Sequence, residues 1–254
     1  MPVKPLISFH NKMPYKHDTN LDFLKTCSSA DLDVLVQALT KEIGGVFRMS
    51  GNLTKSEIYR KHAPNHSVYW EQIACEIQCF GAHTFATLFR GGHGVAYKKI
   101  LIDVCRIMKV NFDPYSSVEL IELNMLMKIM IDSMEKKTAE QLKELVVELK
   151  LDTTDFTKQA VIAAIQAGAR SSGLLAYRIA SIVANQGARS FAALGLSLSA
   201  SAKMQRTFSI SAGPIGRIIM ALWNAHAIAG PAFRVTIPCV IQIAYLRLKV
   251  QHQA

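Results

Sequence analysis

The chain of 254 residues carries 29 lysines and arginines against 19 aspartates and glutamates, a formal net charge of +10. Half of its residues are hydrophobic, which excludes an extensively disordered chain, and 14 glycines and eight prolines exclude a collagen-like one. Five cysteines are too few for a disulfide scaffold. Because no signal-peptide pattern follows Met1, we expect a cytoplasmic protein with reduced thiols.

The excess charge is confined to one part of the chain. Residues 1–155 hold 19 basic and 19 acidic residues, whereas residues 156–254 hold ten basic residues and no acid. We therefore predict three regions: a loose N-terminal arm over 1–17, a charge-neutral helical domain over 18–155, and an acid-free, basic, apolar helical region over 156–254.

The neutral half shows helical periodicity and helix-start signals. Three capping boxes are predicted, at Ser28, Ser116 and Thr138, each with an acid or glutamine three residues later. Further helices are expected over 53–61, 67–89 and 97–108. The helix that follows Ser116 is strongly apolar, so it should be mostly buried, and its Glu119 and Glu122 are expected on a solvated face. With no credible strand alternation, the fold class is all-α.

The acid-free half predicts one small-residue-rich helix and then a hairpin. The helical pattern runs from Thr157 to about Ala202, with 185–187 as a potential interruption. On a single helix, Arg170, Arg178 and Arg189 would form one basic stripe. Two Gly-Pro-x-x-Arg copies end at Arg217 and Arg234 and bracket an apolar segment, and a further helix is expected over 235–246. This hairpin region should pack with the multi-helix N-terminal domain.

The apolar C-terminal segment is too short for a simple membrane span. The longest stretch without a charged residue, 218–233, has 16 residues, whereas a span needs about 20. Two interpretations stay open: a buried hairpin, or a segment that lies on or conditionally inserts into an anionic bilayer with its arginines at the surface. The candidate contacts with a membrane or an acidic partner are Arg170, Arg178, Arg189, Arg217 and Arg234. No nucleic-acid-binding motif occurs, so nucleic acid is a disfavoured partner.

Two other groups of residues are weaker candidates for a site. Cys75, Cys79 and His83 are spaced four apart on a predicted helix, near His62 and His66, but they lack the paired cysteines of structural zinc sites. We favour core thiols over a metal. The glycine-rich stretch before the helix at Tyr97 could cradle an anion or an acidic partner, through Arg90, Gly91, Gly92, Gly94, Lys98 and Lys99. A plain loop is the favoured interpretation. No catalytic or cofactor motif appears, so we expect neither enzyme activity nor a cofactor.

Several motifs resemble those of a known family. The stretches 15–33, 76–81, 89–92 and 228–238 are similar to the YaaW-like family of uncharacterised bacterial proteins. That family resembles, more distantly and mainly over the central helices, the ubiquinol–cytochrome c chaperone family. Members of the latter are helical assembly factors for a membrane respiratory complex, and the resemblance carries over no catalytic residue.

Together these observations predict a non-enzymatic helical interaction protein of the cytoplasm. It would bind a protein partner, as an assembly factor or chaperone-like protein, and act near or peripherally on the inner membrane. The alternative is a conditionally inserting, pore-former-like helical protein. The sequence leaves the oligomeric state open.

Overall fold

The computed structural model describes residues 15–40, 53–82, 94–135, 137–197 and 233–253, without the side chains of 82, 191–197 and 234. Within these ranges the chain is all-α, as predicted, and contains no strand. Short 3-10 helices span Asp22–Thr26 and His66–Tyr69. The α-helices are α1 (Ser29–Thr40), α2 (Glu57–His62), α3 (Trp70–Ala82), α4 (Tyr97–Ile107), α5 (Val118–Asp132), α6 (Ala139–Leu149), α7 (Lys158–Ser171), α8 (Gly173–Ser197) and α9 (Phe233–Gln253).

Two of the three predicted capping boxes are confirmed. At the start of α1, the Asp31 backbone N–H donates to Ser28 Oγ and the Ser28 N–H donates to Asp31 Oδ2, both at 3.2 Å. Thr138 and Gln141 form the same reciprocal pair at α6. The prediction at Ser116 is wrong by one residue, because Ser117 caps α5. The Ser116 N–H instead closes a turn onto the Asp113 carbonyl, at 3.1 Å.

Helix boundaries differ from the sequence pattern where a local side chain stops or starts a helix. Ser56 caps α2, so that helix begins at Glu57 and not at Leu53. Ahead of α3, the predicted continuous helix starts as the separate 3-10 turn at His66, and residues 83–89 lie outside the described ranges.

The predicted single helix from Thr157 to Ala202 is wrong, because the chain breaks at Ser172. Ser172 is extended, with φ −126° and ψ 110°, and its hydroxyl accepts the Leu175 N–H at 3.4 Å to start α8. Arg170 therefore lies on a different helix from Arg178 and Arg189. Residues 185–187 do not interrupt α8.

The last helix lies at the centre of the bundle. α9 is longer than predicted, and every residue from 235 to 244 is buried. It packs against α1, α3, α4, α5 and α8. One hydrophobic core joins both halves of the chain, with fully buried Leu32 and Ile121 in the same cluster as Ile179 and Val240. In the part of the chain that the structure describes, no helix is long and apolar enough to cross a bilayer.

Gly94 allows the chain to cross α3 at close range. A Cβ atom at position 94 would lie 2.7 Å from Gln78 Cβ and 3.2 Å from the Gln78 carbonyl carbon. The Val95 N–H also donates to the Gln78 carbonyl at 3.1 Å. This approach places the start of α4 over α3.

We expect Gly94→Ala to lower the free energy of unfolding by about 1–3 kcal/mol, since the methyl group overpacks a site that backbone atoms line. Gly173→Ala is the matched control, because nothing lies within 4 Å of its added Cβ. That variant should be neutral or more stable by about 0.4–1 kcal/mol. Urea denaturation of both variants measures the difference, and equal stabilities would contradict the close approach.

Candidate functional site

An aspartate from the N-terminal segment caps a helix that begins 79 residues later. Ala96, the residue before α4, has no side-chain oxygen with which to cap it. Asp18 supplies one: its Oδ2 accepts the Tyr97 N–H at 2.6 Å, while its Oδ1 accepts the Asn20 N–H at 3.0 Å. A carboxylate at a helix N-terminus is favourable because it meets unpaired N–H groups and the positive end of the helix dipole.

Next to this cap, a buried ion pair joins α9 to α5. Arg247 Nε donates to Glu122 Oε2 at 2.8 Å, and Arg247 Nη2 donates to the Asn20 carbonyl at 2.7 Å. The Tyr97 hydroxyl donates to Glu122 Oε1 at 2.7 Å. The guanidinium also lies over the Phe23 ring, 4.6 Å from its centroid. We call Asp18, Asn20, Tyr97, Glu122 and Arg247 the polar junction.

Burial dominates the electrostatics of the polar junction. Glu122 is 2% exposed and Arg247 is 7% exposed. Burial raises the pKa of Glu122, against the opposing effect of the Arg247 charge and the Tyr97 hydrogen bond. Burial also raises the pKa of Tyr97 far above its ordinary value. Burial of Arg247 lowers its pKa, but the neighbouring Glu122 carboxylate raises it by more, so the guanidinium stays charged.

A second ion pair holds α9 to α1. Lys249 Nζ donates to Asp31 Oδ1, and this contact is partly buried. One turn further along α9, the His252 ring stacks on Tyr177. Burial alone would raise the pKa of Asp31, but hydrogen bonds from Lys249 and Ser28 lower it. The two ion pairs fix α9 both along its length and around its axis.

The polar junction was missed by the sequence prediction, which placed Glu119 and Glu122 on a solvated face. Glu119 is half exposed, but Glu122 is buried, so that prediction is wrong for Glu122. A signal was present: Glu122 lies three, four and seven residues before the buried Met125, Leu126 and Ile129, on the apolar face of α5. Its partner, 125 residues away, has no local signal.

The predicted basic residues of the acid-free region fall into two groups. The outward face of α8, which we call the α8 outer face, consists of Leu174, Arg178, Asn185 and Arg189. These four lie within about 60° of one another on a helical wheel and span about 22 Å. Arg189 is exposed and Leu174 is 40% exposed. Arg170 is exposed at the end of α7, and residues 170–174 form a continuous exposed elbow before this face.

Arg178 has an intramolecular partner. Its Nη1 donates to the Leu149 carbonyl at 3.2 Å, at the C-terminal end of α6. Lys150 then ends that helix in the left-handed region, with φ 53°. A cation at the carbonyl end of a helix is favourable. Arg217 lies outside the described residues, as does the side chain of Arg234, so those two predicted contacts stay predictions.

The glycine-rich stretch is described only from Gly94, which packs against α3. Lys98 Nζ donates to the Ser116 carbonyl at 2.8 Å, and Lys99 pairs with Asp103 on its own helix. Arg90, Gly91 and Gly92 lie outside the described residues. The predicted anion contact is therefore untested, and both of its lysines have protein partners.

The predicted cysteine pair lies on α3, where Cys75 and Cys79 are 8% and 5% exposed. The hydrogen bond that the Cys79 thiol donates to Cys75, together with burial, raises the pKa of Cys79. His83 lies outside the described residues. Among the residues that are described, no three histidines, cysteines or carboxylates are placed to hold a metal ion.

His66, expected near the cysteines, is buried between α1 and the start of α3. Its Nε2 lies 3.2 Å from Asp33 Oδ1, and its Nδ1 contacts the Tyr69 hydroxyl. Tyr69 is fully buried. The hydroxyl of this acid–histidine–tyrosine arrangement is therefore closed to a substrate, and the arrangement joins α1 to the 3-10 helix before α3.

Comparison with known proteins identifies relatives along nearly the whole chain. Residues 65–241 match the model of the ubiquinol–cytochrome c chaperone family, and residues 15–49 match a domain of unknown function, DUF3944. A UPF0174 protein of Helicobacter pylori strain J99 is 42% identical over 94% of both chains. UPF0174 protein YaaW of Escherichia coli K12 is 31% identical over 93% of this chain and 96% of its own. No solved structure matches the chain.

Breaking the buried ion pair should be costly in a pH-dependent way. We expect Arg247→Met to lower the free energy of unfolding at pH 8 by about 3–5 kcal/mol, because it leaves the Glu122 carboxylate buried without its cation. The folded-state pKa of Glu122 is then raised further above its unfolded value. The lost stability should therefore be partly regained as the pH falls and Glu122 takes up a proton.

Urea denaturation between pH 8 and pH 5 measures this effect, with Glu122→Gln/Arg247→Met as the control. The double variant has no buried carboxylate at position 122, so its loss should vary less with pH. An Arg247→Met variant with the stability of the wild type would rule out the polar junction as an anchor.

The Lys249–Asp31 pair should be lost in acid. Because its pKa is lowered in the folded state, Asp31 stabilises the fold above its unfolded pKa of about 3.9 and loses that contribution as the pH falls through the folded value. We expect Asp31→Asn to be less stable than the wild type at pH 7 and to approach it below about pH 4. Thermal melts across this range measure the convergence, and a constant gap would contradict the assignment.

Proposed function

Because the chain belongs to the UPF0174 family and to the ubiquinol–cytochrome c chaperone family, we propose that it is a non-enzymatic, chaperone-like assembly protein that binds a protein partner at the inner membrane. The observation that carries this proposal is the extent of the chaperone-family match, residues 65–241. That range includes α3 to α8 and the N-terminal part of α9, the body of the helical bundle.

The chemistry of the buried polar groups supports a binding role over a catalytic one. Glu122 and Arg247 neutralise each other inside the bundle, and Asp18 caps α4. The His66 ring contacts the Asp33 carboxylate and the hydroxyl of Tyr69, which is fully buried. Each of these groups stabilises contacts between helices, and none presents a reactive atom in a cleft.

We place the partner contact at the turn before α5, where Tyr115 is 93% exposed. The turn is well fixed: the Tyr115 N–H donates to Asp113 Oδ1 at 3.0 Å, and Lys98 Nζ donates to the Ser116 carbonyl at 2.8 Å. An exposed tyrosine on an ordered turn offers a large contact area at a low cost in conformational entropy. Leu120, 40% exposed in the first turn of α5, extends the apolar surface.

We expect Tyr115→Ser to weaken binding of a specific membrane-protein partner by about 30-fold or more, because a tyrosine that is an interface hot spot contributes about 2 kcal/mol or more. The measurement is quantitative pull-down from detergent-solubilised membranes of the native host. Val68→Ser is the control, because Val68 is also an exposed apolar residue, at 46%, on the 3-10 turn before α3.

Partner capture that is equal for the wild type and Tyr115→Ser would contradict the contact. A wild-type protein that captures no membrane-protein partner would contradict the proposed function itself. Fractionation of native cells tests the location. High salt should release the protein from membranes if exposed charges hold it, since salt screens them, whereas resistance to carbonate would indicate insertion.

A further inference from the structure

We propose that the α8 outer face and the elbow before it dock on an anionic lipid bilayer. The inference rests on the proposed function in one respect, the location at the inner membrane, and it adds the surface that makes the contact. The observation behind it is a strip of exposed residues, the elbow over 170–174 and then Asn185 and Arg189 on the same side of α8, which carries arginines and a leucine and contains no acid.

The strip begins at the elbow between α7 and α8. All five residues from 170 to 174 are exposed, so this corner projects from the bundle. It presents the Arg170 guanidinium and the Leu174 side chain, which is 40% exposed although α8 has a buried face available for apolar residues. A basic residue beside an exposed leucine is the pairing with which interfacial helices enter the headgroup region.

The strip resumes further along α8 at Asn185 and Arg189, since residues 175–184 between them and the elbow are buried or half-buried. Asn185 and Arg189 are exposed on the same side of the helix as Leu174, and the opposite side packs into the core through fully buried Ile179 and Val183. α8 therefore has the amphipathic form of a helix that lies parallel to a membrane surface. Arg178 lies on this face but donates to the Leu149 carbonyl, so Arg170 and Arg189 are the two arginines that we assign to lipid.

The chemistry of the strip favours lipid over other anionic partners. A protein interface is enriched in aromatic residues, and this strip contains no aromatic side chain. Nucleic acid binding would require more phosphate contacts than these two arginines provide. An anionic bilayer requires only net positive charge, a flat approach and an apolar anchor.

Co-sedimentation of the full chain with vesicles tests the proposal. The vesicles contain phosphatidylcholine alone or with roughly a third of phosphatidylglycerol, which supplies a negative surface. We expect the wild type to bind only the anionic vesicles and to be released by high salt. Arg170→Glu/Arg189→Glu should lower the partition coefficient by about 25-fold or more, at roughly fivefold for each of the two basic residues lost. Leu174→Ala should weaken it severalfold.

The matched control is Lys25→Glu/Lys61→Glu, which makes the same change in net charge at two exposed lysines away from α8. It should retain binding within about twofold of the wild type, which would show that the loss in the arginine variant comes from the position of the charges and not from the net charge. Unchanged binding of Arg170→Glu/Arg189→Glu, equal loss in the control, or equal binding to neutral vesicles would each overturn the proposal. These vesicles contain no protein partner, so failure here is distinct from failure of the pull-down, which tests the proposed function.

Discussion

The fold depends on the ion pair between Arg247 and Glu122, because it fixes the position of a helix that the rest of the bundle surrounds. α9 is the last helix that the structure describes, but it contacts five other α-helices and the first 3-10 helix. A shift by one turn would move the guanidinium about 5.4 Å and leave two buried charges unpaired. The cost of burying unpaired charges is far larger than the net contribution of the ion pair to stability.

The ion pairs also explain part of the uneven charge distribution. Two of the ten basic residues after position 155, Arg247 and Lys249, pair with acids of the neutral half, Glu122 and Asp31. The two halves are thus electrostatically complementary inside one fold. Among the other basic residues of that region that the structure describes, Arg170 and Arg189 are exposed and so accessible to a partner or a membrane.

The N-terminal segment connects these features. Asp18 caps α4, the Asn20 carbonyl accepts from Arg247, and Phe23 lies under the same guanidinium. All three residues fall in the DUF3944 match, whereas Arg247 follows the end of the chaperone-family match at residue 241. The polar junction therefore joins the DUF3944 part of the chain to the stretch of α9 that follows the chaperone-family match. Tyr97 and Glu122, which lie inside the chaperone-family match, contribute the remaining contacts.

The sequence by itself determined the all-α class, the capping boxes at Ser28 and Thr138 and the family, because helical periodicity and capping are local patterns. It also located the basic residues of the acid-free region. Only the tertiary structure decided the break at Ser172, the burial of Glu122 and the intramolecular partner of Arg178. The break at Ser172 comes from a capping hydroxyl inside a run whose helical pattern continues on both sides. The other two depend on which residues meet across the bundle, and a pairing over 125 residues of chain leaves no periodic trace in the sequence.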